Sequence, residues 1–294
     1  MRQFLKHLFQ RPTSELRDTL HFLNPGSGEC PFCGKGLKQA SPSSSTLQSD
    51  SRRTYLSYLP TSFTRSVCSS CLAVIPWLTP IKCRICGRGI SCPDCIRRTD
   101  AMFIANRSAV QYSSEMREWL AQYKYRGNER LEPLLAQMML PAFEAITKEA
   151  EKQSFSTQPS SSPIWDAVTF VPVSMERAEE RGFNQAERFA SILAKHHQLP
   201  LYDLLVRERH TEKQSFKSRL ERMKDTKRLF HARTDTMALL QSNVHKSPMN
   251  AQSIRILLVD DIYTTGSTIG ACAAALHQHS EVPLDIYALT WARS

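Results

Sequence analysis

Two sets of residues in this chain have types and spacings that imply chemistry. The first is four C-x2-C pairs: Cys30/Cys33, Cys68/Cys71, Cys83/Cys86 and Cys92/Cys95. Thiolates two residues apart can hold one ion together at about 2.3 Å, and tetrahedral zinc takes two such pairs. Four pairs therefore imply two structural sites. The sequence also hints at how they combine. Pair one (C-P-F-C-G-K-G) and pair three (C-R-I-C-G-R-G) carry a glycine after the second cysteine, whereas pairs two (C-S-S-C-L) and four (C-P-D-C-I) do not. This repeat predicts sequential sites, with an interleaved arrangement as the alternative. Gly34 and Gly87 are expected at positive φ, which turns backbone N–H groups toward sulfur. A dithiol redox centre and an iron–sulfur cluster are the competing readings, and the regular spacing favours zinc. The ninth cysteine, Cys272, lies in A-C-A-A-A-L and is read as a core residue.

The second set is I-L-L-V-D-D-I-Y-T-T-G-S-T, residues 256–268. An apolar run ends in two adjacent carboxylates, Asp260 and Asp261, whose repulsion and burial folding alone does not explain. Acids at the carboxyl end of a parallel strand sit where α/β sheets bind ligands. The following Thr264, Thr265, Gly266, Ser267 and Thr268 lead into a helix whose exposed N–H groups suit a phosphate. Acids for sugar hydroxyls beside amides for a phosphate describe a ribose 5-phosphate. Neither G-x-x-x-x-G-K-[ST] nor G-x-G-x-x-G is present, which excludes the P-loop and dinucleotide-binding readings.

The elements that must position these residues alternate beyond residue 100. Phe103–Tyr112 reads as a strand, with Ser113 capping a helix through W-L-A-Q-Y-K-Y. A long helix is expected from Leu131 to Lys152, a strand at Ala167–Val173 and a charged helix from Met175 to His197. Ile254–Ile262 has the continuous hydrophobicity of a parallel strand covered on both faces. A helix at Thr268–His279 and a strand at Leu284–Trp291 complete a β-α-β unit. The expected fold is α/β, a parallel sheet flanked by helices, with residues 101–294 forming that domain. Residues 1–100 are expected to carry a short amphipathic helix, with Phe4, Leu5, Leu8 and Phe9 on one side, and the cysteine module. Polar stretches around Q-A-S-P-S-S-S-T-L-Q-S-D-S, at 152–163 and at 241–252 read as solvated linkers.

Composition sets the class. In 294 residues, 41% are hydrophobic and 22% charged, as in an ordinary soluble protein. No run approaches the roughly 18–20 apolar residues of a membrane span. The N-terminus is too interrupted by charge for a signal peptide, so a cytoplasmic location is expected. Residues 1–100 hold 14 Lys+Arg against 6 Asp+Glu, a net of +8, and the remainder 24 against 22, a net of +2. Two four-thiolate zinc sites, each carrying about −2, would reduce the N-terminal excess to about +4. Arg84, Arg88, Arg97 and Arg98, around the second site, are candidate contacts for single-stranded DNA. Lys124 and Arg126, flanked by Tyr123 and Tyr125 that could stack on bases, are further candidates.

V-D-D-I-Y-T-T-G-S-T resembles the phosphoribosyl pyrophosphate (PRPP) motif of type I phosphoribosyltransferases. That resemblance implies that Asp260 and Asp261 hold the ribose hydroxyls and that Thr264–Thr268 wrap the 5-phosphate. The segment 171–174, with Val173 and Ser174, would form the pyrophosphate loop, and magnesium would ride on the pyrophosphate. R-G-F-N-Q-A (181–186) after V-P-V, T-x-x-Q at Thr211/Gln214, Y-K-Y-R-G at 123–127 and the cysteine pairs together resemble the ComF family, over about residues 20–294. The chain departs from the family where Asp225-Thr226 replaces the usual asparagine–valine step, and its Ser-rich insertion is longer. The resemblance implies a protein of DNA uptake in natural transformation, with PRPP, single-stranded DNA and other DNA-uptake proteins as partners. The alternative is an active phosphoribosyltransferase with an unidentified base or amine acceptor. Arg181 is a candidate for pyrophosphate or a nucleic-acid backbone, and Asn184 and Gln185 for a base-like acceptor, with Phe183 a packing anchor and Gly182 a turn.

Overall fold

The computed structural model describes residues 28–37, 56–96, 102–153, 163–208, 229–245 and 253–294. The expected N-terminal helix and the first Ser-rich linker lie outside these residues. So do Arg97, Arg98, Thr211, Gln214 and Asp225-Thr226.

Two short helices, α1 (Thr61–Ser66) and α2 (Ser69–Val74), and the single turn α3 (Pro93–Ile96) accompany the cysteines. The alternating part follows: β1 (Ala105–Gln111), α4 (Ser114–Tyr125), α5 (Glu132–Met138), α6 (Leu140–Gln153), β2 (Ala167–Phe170), α7 (Met175–Arg181) and α8 (Gln185–His197). Then come β3 (Leu205–Arg207), β4 (Phe230–Ala232), α9 (Thr234–His245), β5 (Ile254–Tyr263), α10 (Ser267–Gln278) and β6 (Leu284–Arg293). Four strands form an all-parallel sheet in the order β1-β6-β5-β2, and β3 and β4 pair antiparallel.

Helices cover both faces of this sheet, which is why β5 reads as unbroken apolar sequence from Ile256 to Val259. Its Leu257 and Val259 join Trp119, Phe143 and Phe189 in one core, while Ile256 and Leu258 join Phe230, Cys272 and Leu276 in the other. The two cysteine groups divide the same way. Cys30 and Cys71 pack into the first core, with Phe32 stacked on Trp119 at 3.9 Å, and the cysteines from 83 to 95 pack into the second.

Between the two groups the chain runs beside β1. Leu78 N–H donates to Ala109 O (3.1 Å), Gln111 N–H to Pro76 O (2.9 Å) and Asn106 N–H to Ile85 O (2.6 Å). An edge that would otherwise offer free backbone groups is thereby covered. Gly87 makes this approach possible. It sits at φ +75°, and an added Cβ would lie 2.7 Å from the Asn106 carbonyl oxygen. Gly34, also at positive φ, has open space around it. Gly87→Ala is therefore expected to cost more than the roughly 1–3 kcal/mol of a strained backbone conformation, and Gly34→Ala no more than that. Paired thermal melts test this, and equal shifts would deny Gly87 its contact role.

Two expected helices are interrupted, each for a local reason. The helix expected at Leu131–Lys152 breaks at Met139, because Pro141 has no N–H to continue the ladder and its ring crowds the carbonyl four residues back. The helix expected at Met175–His197 stops at Gly182, which takes φ +77°, and restarts when Asn184 caps α8. The expected linker at 241–252 begins within α9, which extends to His245.

Candidate functional site

The cysteine groups assemble as the repeat predicts. Cys30/Cys33/Cys68/Cys71 form one cluster and Cys83/Cys86/Cys92/Cys95 the other, with sulfurs within 4.8 Å of one another. Cys33 Sγ and Cys68 Sγ are 3.7 Å apart, close to the edge of about 3.8 Å for a tetrahedron with 2.3 Å metal–sulfur arms. Several irons placed between the sulfurs would need them farther apart. Gly34 and Gly87 take the positive φ expected of them. In one pair of each group the second cysteine's N–H faces the first one's sulfur: Cys71 N–H lies 3.5 Å from Cys68 Sγ, and Cys86 N–H 3.5 Å from Cys83 Sγ.

The electrostatics also suit a cation. Burial opposes ionisation at Cys68, but hydrogen bonds from Cys71 and the neighbouring thiols outweigh it and draw its pKa down to about 7. Cys83 and Cys92 are lowered by similar hydrogen bonds against their burial, whereas burial drives Cys30, Cys71, Cys86 and Cys95 up. Each cluster thus mixes thiols inclined to ionise with thiols forced neutral. A bound divalent ion relieves that conflict, and these donors fit zinc.

The second site forms at the carboxyl edge of the sheet. Phe170 of β2 is in register with Val259 of β5, so the loop 171–174 leaves beside the acid pair. Val173 and Ser174 are half-buried there, and Ser174 Oγ caps α7 by accepting from Arg177 N–H at 3.4 Å. Asp260 and Asp261 lie near the carboxyl end of β5, with Asp260 Oδ1 accepting from Asp261 N–H at 2.8 Å. Beyond them Gly266 at φ +80° turns the chain into α10. Thr264, Thr265 and Ser267 are exposed, with Thr265 Oγ1 3.0 Å from Ser267 Oγ, and Thr268 is half-buried.

Burial, then the charge of Asp261, pushes the Asp260 pKa up to about 8, against the pull of Lys124 and Arg207. The Lys124 ammonium makes an ion pair with Asp261. A residue read as a candidate DNA contact therefore has its charge inside the site, with a side chain only 10% exposed.

The other candidates fall into two places. Arg181 lies over the Tyr125 ring at 4.7 Å, donates to its hydroxyl at 2.7 Å, and donates to Gln185 Oε1 at 2.9 Å. Asn184 is buried, donating to Val171 O (3.1 Å) and accepting from Ala186 N–H (3.0 Å), so it ties the loop after β2 to α8. Gln185 is buried beside it. Tyr123 does not stand ready for a base: it is buried, against Phe183 and Phe189, with its hydroxyl on Glu132 at 2.8 Å. Tyr125 is exposed. Arg126 pairs with Glu118 at the surface. Beside the second cysteine cluster, Arg84 is exposed, while Arg88 directs Nη1 toward Cys92 Sγ at 3.8 Å.

Two residues of this region carried no sequence signal. Arg207 of β3 is close enough to influence Asp260, and its own pKa is lowered by burial and then by Arg177. Thr290 of β6 is fully buried, in register with Asp260 on one side and with Ser108 on the other, 2.6 Å from Ser108 Oγ. Ser108 accepts from Asn106 Nδ2 (3.0 Å), which also lies 3.3 Å from Cys86 O. A buried polar row thus crosses an apolar sheet from the second cysteine cluster to the acids. A single threonine or arginine within a strand has no spacing to recognise.

No family model matches the chain. Over 224 residues it is 32% identical to competence protein ComFC of Bacillus subtilis (strain 168), covering 71% of this chain and 77% of that protein. Over 216 residues it is 25% identical to competence protein ComFC of Streptococcus pneumoniae (strain ATCC BAA-255 / R6), covering 72% and 81%. With two cysteine clusters, a parallel sheet and relatives matched at this identity across most of their length, the chain belongs to the ComF family.

Proposed function

We propose that the protein acts in DNA uptake during natural transformation, through a pocket that binds PRPP and a basic zinc module that binds single-stranded DNA. The observation that carries the pocket is the convergence of the acid pair, the T-T-G-S-T turn and the loop 171–174 on one edge of the sheet. The names of the two relatives support the competence role. In this reading Asp260 and Asp261 accept from the ribose hydroxyls. The turn and first helical amides of α10 receive the 5-phosphate, and Val173 and Ser174 border the pyrophosphate. Magnesium, when bound, offsets the pyrophosphate charge. Zinc in each cysteine cluster is structural. The division at residue 100, the cytoplasmic location and contact with other DNA-uptake proteins belong to the same proposal. No helix among the described residues is long and apolar enough to cross a membrane.

A second reading, an active phosphoribosyltransferase, is favoured by the exposed Tyr125 ring, which follows the acid-paired Lys124 and carries the half-buried Arg181 guanidinium over it, a surface on which a base could stack. PRPP turnover measured with single-stranded DNA and with a panel of bases separates the two. Release of pyrophosphate driven by one base would select the enzyme.

For the DNA contact, affinity for single strands is expected to fall by about 0.7 logarithmic units per phosphate neutralised for each tenfold rise in salt. Arg84, Arg97 and Arg98 changed together to glutamine should flatten that slope and leave PRPP binding within twofold. Arg88 is kept because it faces Cys92 Sγ. A slope unchanged in this variant would move the DNA contact away from the zinc module.

A further inference from the structure

Lys124 stands where the proposed ligand needs free acids. Its ammonium is paired with Asp261, and both side chains are withdrawn from water, at 10% and 20% exposure. The two residues are 137 positions apart, so tertiary packing must hold them together. That packing clamps the residues on either side of the lysine. The Tyr123 ring lies 5.0 Å from Phe183 and 5.8 Å from Phe189, and its hydroxyl donates to Glu132. Tyr125 is held under the Arg181 guanidinium at 4.7 Å. The backbone at Lys124 is fixed, while its four-carbon stem lets the ammonium swing without moving α4.

The ion pair also sets what can enter. A free divalent cation arriving at the carboxylates meets an ammonium already in place and must expel it into a pocket that also feels Arg207. Expulsion there leaves a half-buried positive charge with no partner, which is unfavourable. A cation arriving on a polyphosphate brings anionic oxygens that can take the displaced ammonium.

We propose that Lys124 is the resident counter-ion of the acid pair and makes the pocket discriminate a metal–pyrophosphate ligand from the free metal ion. Entry is an exchange: the metal or the ribose diol takes the carboxylates as the ammonium leaves Asp261 for the ligand phosphates. This deepens the pocket reading and rests on it. The lysine is a specificity-determining residue, and its removal opens the acids to metal alone.

The test uses Mn2+ alone, on the full zinc-loaded chain, with free Mn2+ followed by its paramagnetic resonance signal. The parent should bind Mn2+ weakly at the acid pair. Lys124→Met should bind it at least tenfold more tightly, Lys124→Arg should behave as the parent, and Asp261→Asn added to Lys124→Met should abolish the gain. Lys124→Met with the parent's Mn2+ affinity, or a gain that survives Asp261→Asn, would overturn the proposal. If Lys124→Met melts early, Lys124→Gln replaces it with the same two outcomes. Because the probe is Mn2+, the result stands whether or not the protein binds PRPP.

Discussion

Replacing Cys86 with serine is expected to remove one of two zinc ions and to lower the melting temperature by more than 10 °C. Cys86 is fully buried in the same apolar core as Phe103, Ile256, Leu258 and Ile286, so its cluster is continuous with one face of the sheet. Its carbonyl accepts from Asn106, and the preceding residue's carbonyl accepts from Asn106 N–H, so the cluster also covers the β1 edge. Structural zinc supplies about 10–16 kcal/mol in small zinc peptides, as much as the whole stability of an ordinary domain, about 5–15 kcal/mol. Losing the ion leaves Cys83 and Cys92, which hydrogen bonds incline to ionise, beside Cys95, which burial holds neutral, with no cation among them, and the contacts along β1 lose their anchor. Metal analysis beside a thermal melt provides the check. Two zinc ions retained per chain, with an unchanged melt, would reject the cluster as a site.

Changing Asp260 and Asp261 together to asparagine is expected to weaken PRPP binding by a factor of about 10² to 10⁴. Each charge-assisted hydrogen bond contributes about 1.5–3 kcal/mol, and two are lost. Asparagine keeps the shape, so the effect isolates charge. The single variant Asp260→Asn adds a signed test. The folded pKa of Asp260, about 8, lies above its ordinary 3.8. Its contribution to stability is therefore present below about pH 4 and is lost as pH rises through 8. Asp260→Asn removes that loss, so its melting temperature should exceed the parent's at pH 9 and match it near pH 4. Ligand binding in the parent should strengthen from pH 6 to 8.5, as Asp260 gives up its proton, and the variant should lack that trend. A double variant that binds as tightly as the parent would make the acids incidental.

The parts of this site that were legible in the sequence are those whose chemistry is local. Cysteines two apart, and a glycine repeated after alternate pairs, predict clusters that the fold then assembles in that order. Strands β5 and β6 were visible because burial on both faces leaves no polar alternation to misread. The acid pair and the hydroxyl turn lie within nine residues, and no distant element is needed to see them. The helix breaks at Pro141 and Gly182 were visible as residues but hidden by a continuing helical pattern on either side. Strands β3 and β4 are three residues each, too short for any period to show. What sequence could not supply is tertiary. Tyr123 and Tyr125 look equivalent in Y-K-Y, yet two residues on a helix are about 200° apart, so one is buried and the other exposed. Lys124 between them looks like a surface charge, and only the packing of α4 against the carboxyl edge shows that it belongs to Asp261.

The central claim is that this edge of the sheet is a PRPP pocket, and a calorimetric titration tests it most directly. The zinc-loaded chain is titrated with PRPP in the presence of Mg2+ at pH 8, beside the double asparagine variant. The account predicts one saturable site per chain in the parent and none measurable in the variant. A parent that keeps both zinc ions and its cooperative melt, yet shows no saturable binding, would contradict it.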